Sequence, residues 1–123
     1  FGYNGNKINN SSSSSYGDTF TVGDIIGVAY DADNGDLFFY KNGTIQNSGT
    51  AAYTGLSTSE TYYPAIGDGS QAETMTCQMN FGQEGTFAGN VTAGGNSDGN
   101  GIGNFKYSVP SGYLALCTKN LGS

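Results

Sequence analysis

The chain has 123 residues, 36% of them hydrophobic and only 11% charged, with a net charge of −6. That length supports one domain with its own core and is too short for two. Four lysines, no arginine and no long apolar run exclude a nucleic-acid surface, an anionic membrane surface and a membrane-spanning helix.

Nine Tyr and seven Phe argue against disorder, and the Gly-, Ser-, Thr- and Asn-rich remainder suits a β-protein with many turns. Residues 1–16 are polar, with serine at every position from 11 to 15, and read as a loop or a weakly ordered edge. Ile25-Ile26-Gly27-Val28-Ala29-Tyr30 is a nearly continuous apolar run, the pattern of a central strand buried on both faces. Asp31-Ala32-Asp33-Asn34-Gly35 is turn chemistry, and Asp36-Leu37-Phe38-Phe39-Tyr40-Lys41 resumes as an aromatic-rich strand. Asn42-Gly43 then signals a two-residue hairpin, because both central residues of a type I′ turn need positive φ. Thr44-Ile45-Gln46 returns as the next strand of a meander.

Tyr62-Tyr63-Pro64-Ala65-Ile66 predicts a short strand with its proline at an edge or a strand end. Residues 73–81 alternate, with Met75, Cys77, Met79 and Phe81 on one face, which predicts a half-buried antiparallel strand. Tyr113-Leu114-Ala115-Leu116-Cys117 predicts a last buried strand. Residues 85–104 hold seven glycines and form a long loop, either a binding surface or a mobile insertion. No segment sustains a period near 3.6, so almost no helix is expected and the fold class is all-β.

Little in this composition supports catalysis. The chain has no His, which removes Ser–His–acid and Cys–His arrangements and the commonest transition-metal ligand. Asp31, Asp33 and Asp36 form the densest acidic group, but they sit in a turn, where Asp and Asn bond to nearby backbone amides. Their spacing misses the calcium-loop pattern, with Asn42 where a bidentate Glu belongs. Neither a metal site nor a cofactor site is expected, and the chain is not expected to be an enzyme. Cys77 and Cys117 lie in separate apolar segments, either bonded to one another or, in the favoured reading, free thiols in the core. A recognition surface is the remaining candidate. Tyr, Asn, Ser and Gly supply contact area and adaptable hydrogen bonds, and binding residues concentrate on loops carried by a rigid scaffold. Tyr3, Asn4, Asn6, Tyr53 and Asp98 are the candidate ligand-binding residues.

Several phrases in sequence order resemble SPRY-domain signatures. These are Tyr16-Gly17-Asp18, then Gly23-Asp24-Ile25-Ile26-Gly27-Val28, then the hairpin from Asp31 through Asn42-Gly43, then Tyr63-Pro64-Ala65-Ile66 and Met79-Asn80-Phe81-Gly82-Gln83. The closing Pro110-Ser111-Gly112-Tyr113-Leu114-Ala115-Leu116-Cys117-Thr118-Lys119-Asn120-Leu121 resembles a subgroup of the family found in environmental, often marine, phage virion or tail proteins. The resemblance implies an antiparallel two-sheet β-sandwich of the concanavalin A-like jelly-roll type. It implies a single domain over 1–123, lacking its first strands and carrying a glycine-rich insertion over 84–108. It further implies a non-catalytic binding module on a virion or in the extracellular space, part of a longer polypeptide or a homo-oligomer, recognising a host-surface protein or glycan through its loops. The alternative is a structural virion protein in which the domain mediates contacts between subunits.

Overall fold

The structure, a computed structural model, describes residues 1–69 and 74–121. It divides into two compact units, Phe1–Thr58 and Ser59–Ser123. Its regular structure is all-β: two antiparallel sheets, with a three-residue 3-10 turn at Asn47–Gly49 the only helical element among the described residues.

The first sheet is a hairpin of β1 (Asn6–Asn9) and β2 (Ser12–Ser15), registered with Asn6 opposite Ser15 and Asn9 opposite Ser12. Of the two readings of 1–16, a loop or a weakly ordered edge, the loop is therefore corrected where the strands Asn6–Asn9 and Ser12–Ser15 pair. Ladder hydrogen bonds need only backbone groups, so a serine run can serve as a strand, and β2 is exposed along its whole length. With no buried face, it carries no alternation of apolar and polar residues from which a strand could be read. The turn forms at Asn10 and Ser11, both with positive φ (48° and 63°).

The second sheet is the expected meander, β3 (Ile26–Asp31), β4 (Asp36–Lys41) and β5 (Thr44–Ile45), in the order β3-β4-β5. Both turns follow from their residues. The Asp31 carboxylate accepts from the backbone N–H groups of Asp33 (3.0 Å) and Asn34 (3.1 Å) and from the Asn34 amide (2.7 Å). Those bonds, the Asn34 side chain first, hold its carboxyl below the usual carboxylate range. At the second turn Asn42 and Gly43 adopt φ values of 50° and 80°, as a two-residue hairpin demands.

The expected position of β3 is corrected: it lies at the sheet margin, and Val28 is 62% exposed. An apolar run marks a strand, but only the neighbours it acquires decide whether that strand is central. Here β4 is central, and it carries the buried Phe39.

Beyond β5 the chain keeps to β4. Gln46 N–H donates to Phe39 C=O (2.9 Å), Ala52 N–H to Leu37 C=O (2.7 Å), and Leu37 N–H to Tyr53 C=O (2.9 Å). The core of this unit is Tyr16, Phe39 and Ala52, with Phe1, Ile26, Leu37 and Tyr53 packed against it. Phe1 stacks on Phe39 at 4.9 Å between centroids and meets Tyr16 edge-on at 5.8 Å. The Tyr16 hydroxyl donates to Thr50 C=O (3.0 Å). Tyr16 directly follows β2 and Phe39 lies in β4, so the aromatic cluster joins the two sheets.

Two of the signature phrases prove to be structural partners. Asn42 accepts from Ile25 N–H (2.9 Å) and donates to Asp24 (2.6 Å), and Lys41 pairs with the same carboxylate at 3.6 Å. The Gly23-Asp24 phrase and the Lys41-Asn42-Gly43 phrase thus close one end of the β3–β4 ladder together.

In the second unit, the expected strands at 62–66, 73–81 and 113–117 do not form among the described residues; Glu73, the first residue of the second, lies outside them. Tyr63 is 81% exposed, and of the apolar stripe read at 75–81 Met75, Cys77 and Met79 are exposed and Phe81 alone is half-buried. Alternation signals a strand only where another edge supplies ladder partners, and among the described residues none is paired with these segments. Both cysteines are free, and Cys77 is exposed rather than buried, which corrects the expected core thiol.

Candidate functional site

Three segments of the first unit converge beside β5. Gly5 C=O accepts from both Tyr16 N–H (3.1 Å) and Gly17 N–H (2.9 Å), and Phe20 N–H donates to Tyr3 C=O (2.8 Å). The loop over 2–6 is thereby laced to the Tyr16-Gly17-Asp18 turn. On the other side, the Gln46 side chain accepts from Asp18 N–H (2.8 Å) and donates to Thr44 C=O (3.2 Å). Gln46 is only 3% exposed, so its amide is a fixed internal strut between the turn and β5.

The result is a cleft of about 380 Å³ lined chiefly by Gly17, Asp18, Thr44, Gln46, Asn47 and Ser48. A Cβ at Gly17 would stand 2.7 Å from the Gln46 Oε1, so glycine lets the turn approach the Gln46 strut this closely. Asn47 and Ser48 adopt φ values of 52° and 53°, a left-handed backbone that costs energy for residues other than glycine. Strained positions of this kind gather at binding sites, where the surrounding structure holds them. Asp18, Thr44, Asn47 and Ser48 are exposed. The rim therefore offers a carboxylate, an amide and two hydroxyls above a rigid floor.

A second hollow, about 250 Å³, lies in the other unit beside Gln78, Met79, Gln83, Glu84, Phe87 and Ala88. Its carboxylate is already used: Glu84 accepts from the Thr86 N–H (2.7 Å) and hydroxyl (2.5 Å) and from Ala88 N–H (2.8 Å). The Thr86 hydroxyl first, these bonds hold its carboxyl below the usual range. Glu84 shapes its own turn and offers less to a ligand than Asp18 does.

The residues singled out from sequence fall in different surroundings. Tyr3 and Asn4 are exposed on the loop that flanks the cleft. Asn4 accepts from Asn6 N–H (3.1 Å), and the Asn6 amide donates to the Ser13 hydroxyl (3.1 Å). Tyr53 packs against the core, with Lys7 5.2 Å above its ring, and its buried hydroxyl has no hydrogen-bond partner among the described residues. Asp18, Gln46, Asn47 and Ser48 were not singled out from sequence. Nothing local marks Gln46 as buried; its importance comes from a partner 28 positions away.

Asp98 lies in the second unit, buried, and works as a clamp. Its carboxylate accepts from the N–H groups of Asn100, Ile102 and Ala115 (2.9 Å each) and from the Asn120 amide (2.6 Å). Burial alone would push its pKa up. The donors from Ala115, Ile102, Asn120 and Asn100 outweigh that and bring it down to about 2. Because the folded value lies below the ordinary 3.8, the stabilisation is fully present above about pH 4 and is lost as pH falls toward 2. The protection of the Ile102 and Ala115 amides, measured against the intrinsic exchange rate at each pH, is accordingly expected to be high and constant from neutral pH to about pH 4.5. In Asp98→Asn their exchange should run roughly tenfold faster or more at neutral pH. Unchanged exchange in that variant would remove the clamp assignment.

No group of three or more His, Cys, Asp or Glu side chains among the described residues is placed to share a metal ion. No helix among them is long and apolar enough to cross a membrane.

Residues 1–84 match the family described as the SPRY domain. The chain is 33% identical over 87 residues to an E3 ubiquitin-protein ligase RKP of Arabidopsis thaliana, covering 67% of this chain and 6% of that protein. It is 30% identical over 118 residues to the ATP-dependent RNA helicase Ddx1 of Drosophila melanogaster, covering 95% of this chain and 13% of that one. It is 38% identical over 88 residues to the Ran-binding proteins 9/10 homolog of the same fly, covering 68% and 8%. The chain thus spans between 6% and 13% of these relatives' lengths. No solved structure matches it.

Proposed function

The chain belongs to the SPRY domain family, and from that premise we propose that it recognises a segment of a partner protein in the cleft between the Tyr16-Gly17-Asp18 turn and the Thr44-to-Ser48 stretch. SPRY domains are protein-interaction modules and generally non-catalytic, and the cleft has the build of a docking site. Its floor is held by the buried Gln46 strut while its rim is polar and exposed, so little ordering is needed on binding. That pre-organised floor is the observation that carries the reading. The phage-like closing phrase, Pro110 to Leu121, supports placing the module on a virion or another extracellular assembly, with a host-surface protein as the partner.

The test is selection of a random-peptide display library against the complete chain, followed by binding of the enriched peptides to the parent and to Thr44→Trp. Thr44 is exposed on β5, a position that tolerates an aromatic residue, and the indole would fill the cleft mouth. Enriched peptides are expected to bind the parent and to lose about tenfold or more on the variant. Equal binding to both would move the site elsewhere. Binding to a glycan array with no peptide enriched would replace a protein partner by a carbohydrate.

A second reading, contacts between subunits of an assembly, is favoured by the exposed apolar side chains Tyr63, Leu116 and Leu121. Concentration-dependent self-association, lost in Leu116→Ser with Leu121→Ser, is the result expected of it.

A further inference from the structure

We propose that the occupant of this cleft is a cationic peptide segment, with an arginine side chain seated on the Asp18 carboxylate. The inference rests on the cleft being the docking site and adds the chemistry of what docks there.

The first unit carries two lysines and five carboxylates. Both of its lysines are engaged internally: Lys7 Nζ donates to Ala52 C=O, and Lys41 Nζ donates to Thr19 C=O (2.7 Å) while pairing with Asp24 (3.6 Å). Two carboxylates are equally engaged, Asp24 in the Thr21, Asn42 and Lys41 network and Asp31 in its own turn. Asp18 differs. Its backbone N–H is held by Gln46, which fixes the residue in place, while its side chain is exposed at the cleft rim.

Among the described residues no cation lines the cleft. The neighbouring polar groups, the Asn47 carbonyl oxygen and the Thr44 and Ser48 hydroxyls, can all accept a hydrogen bond. The same amide and hydroxyls can also donate, but none carries a charge, so the Asp18 carboxylate has no cationic partner among the groups that line the cleft. A guanidinium supplies five N–H groups in a planar fork that matches a carboxylate bidentately, whereas an ammonium presents a compact, strongly hydrated charge. The volume, about 380 Å³, lies at the lower end of the range for ligand pockets, the scale of one long side chain with adjoining backbone. The chain's net charge of −6 draws such a segment in and repels an acidic one.

The experiment measures, by fluorescence anisotropy, binding of the display-enriched peptides and of copies with each basic residue changed to Gln or Lys. The complete chain is compared with Asp18→Asn and Asp33→Asn. Asp33 is an exposed carboxylate in the β3–β4 turn, at the opposite end of β4, so it controls for net charge alone. The expected result is an enriched arginine whose change to Gln weakens binding about tenfold, and whose change to Lys weakens it less. Asp18→Asn should erase that preference and flatten the salt dependence, and Asp33→Asn should leave both intact. Enriched peptides without a basic residue that still lose affinity on Thr44→Trp would overturn the cationic assignment and leave the cleft as the docking site. Peptides indifferent to Thr44→Trp would remove the cleft itself. Equal loss in the two Asp variants would reduce the effect to bulk charge and overturn the proposal.

Discussion

Replacing Gly5 with alanine is expected to lower the stability of the first unit by about 3 kcal/mol, and to weaken ligand binding at the cleft with it. Two costs combine. The residue sits at φ 78°, where an L side chain is disfavoured by about 1–2 kcal/mol. In addition, its new Cβ would stand 2.2 Å from the Gly17 carbonyl oxygen, and backbone cannot swing aside as a flexible side chain can. Relieving such an overlap costs about 1–3 kcal/mol more. Gly55 provides the internal control: it has φ 66°, but an added Cβ meets nothing within 4 Å. Gly55→Ala should therefore cost only about 1 kcal/mol. Urea unfolding of the two variants separates the terms, provided the denaturant slope is unchanged. Equal midpoints would show that the loop over 2–6 is not pressed against the Tyr16-Gly17-Asp18 turn, and the flank of the proposed site would have to be redrawn. Moving the Gly17 carbonyl also shifts Asp18, so stability and binding should fall together in Gly5→Ala.

Phe39→Ala should cost about 3–5 kcal/mol, the usual range for emptying an aromatic position in a core. Phe39 is the buried residue of the central strand, stacked on Phe1 at 4.9 Å and edge-on to Tyr16 at 6.1 Å. Removing the ring leaves a cavity between the two sheets and takes from Tyr16 one of its two ring contacts, leaving Phe1, while the Tyr16 hydroxyl can still reach Thr50. Phe39→Leu keeps most of the volume and loses the ring geometry, so about 1–1.5 kcal/mol is expected. Chemical unfolding monitored by tyrosine fluorescence reads both variants. A loss below about 1 kcal/mol in Phe39→Ala would mean that the aromatic cluster does not join the sheets, and the core would lie elsewhere.

The meander was legible because each of its signals is local. The apolar run at 25–30, the Asp31 turn, the aromatic strand and Asn42-Gly43 each act within a few residues, and the structure has them in that order. The Gly17-Asp18 and Asp24 phrases were visible as phrases, but their roles were not. Asp18 is held by Gln46 and Asp24 by Asn42, partners 28 and 18 positions away. Pattern reading was least useful where side chains carry no polarity contrast, as in the serine strand β2. It also misled where contrast exists without a partner edge, as at 75–81, whose methionines are exposed.

The sequence by itself determined that the chain is all-β, carries almost no helix and turns at Asp31 and Asn42. Those outcomes follow from backbone preferences that a residue and its immediate neighbours set. Only the tertiary structure decided that β4 is central and β3 marginal, that Asp98 clamps backbone amides and that a cleft forms beside β5. Each of these depends on which distant donor meets which acceptor once the chain has closed on itself, and no local preference encodes that meeting.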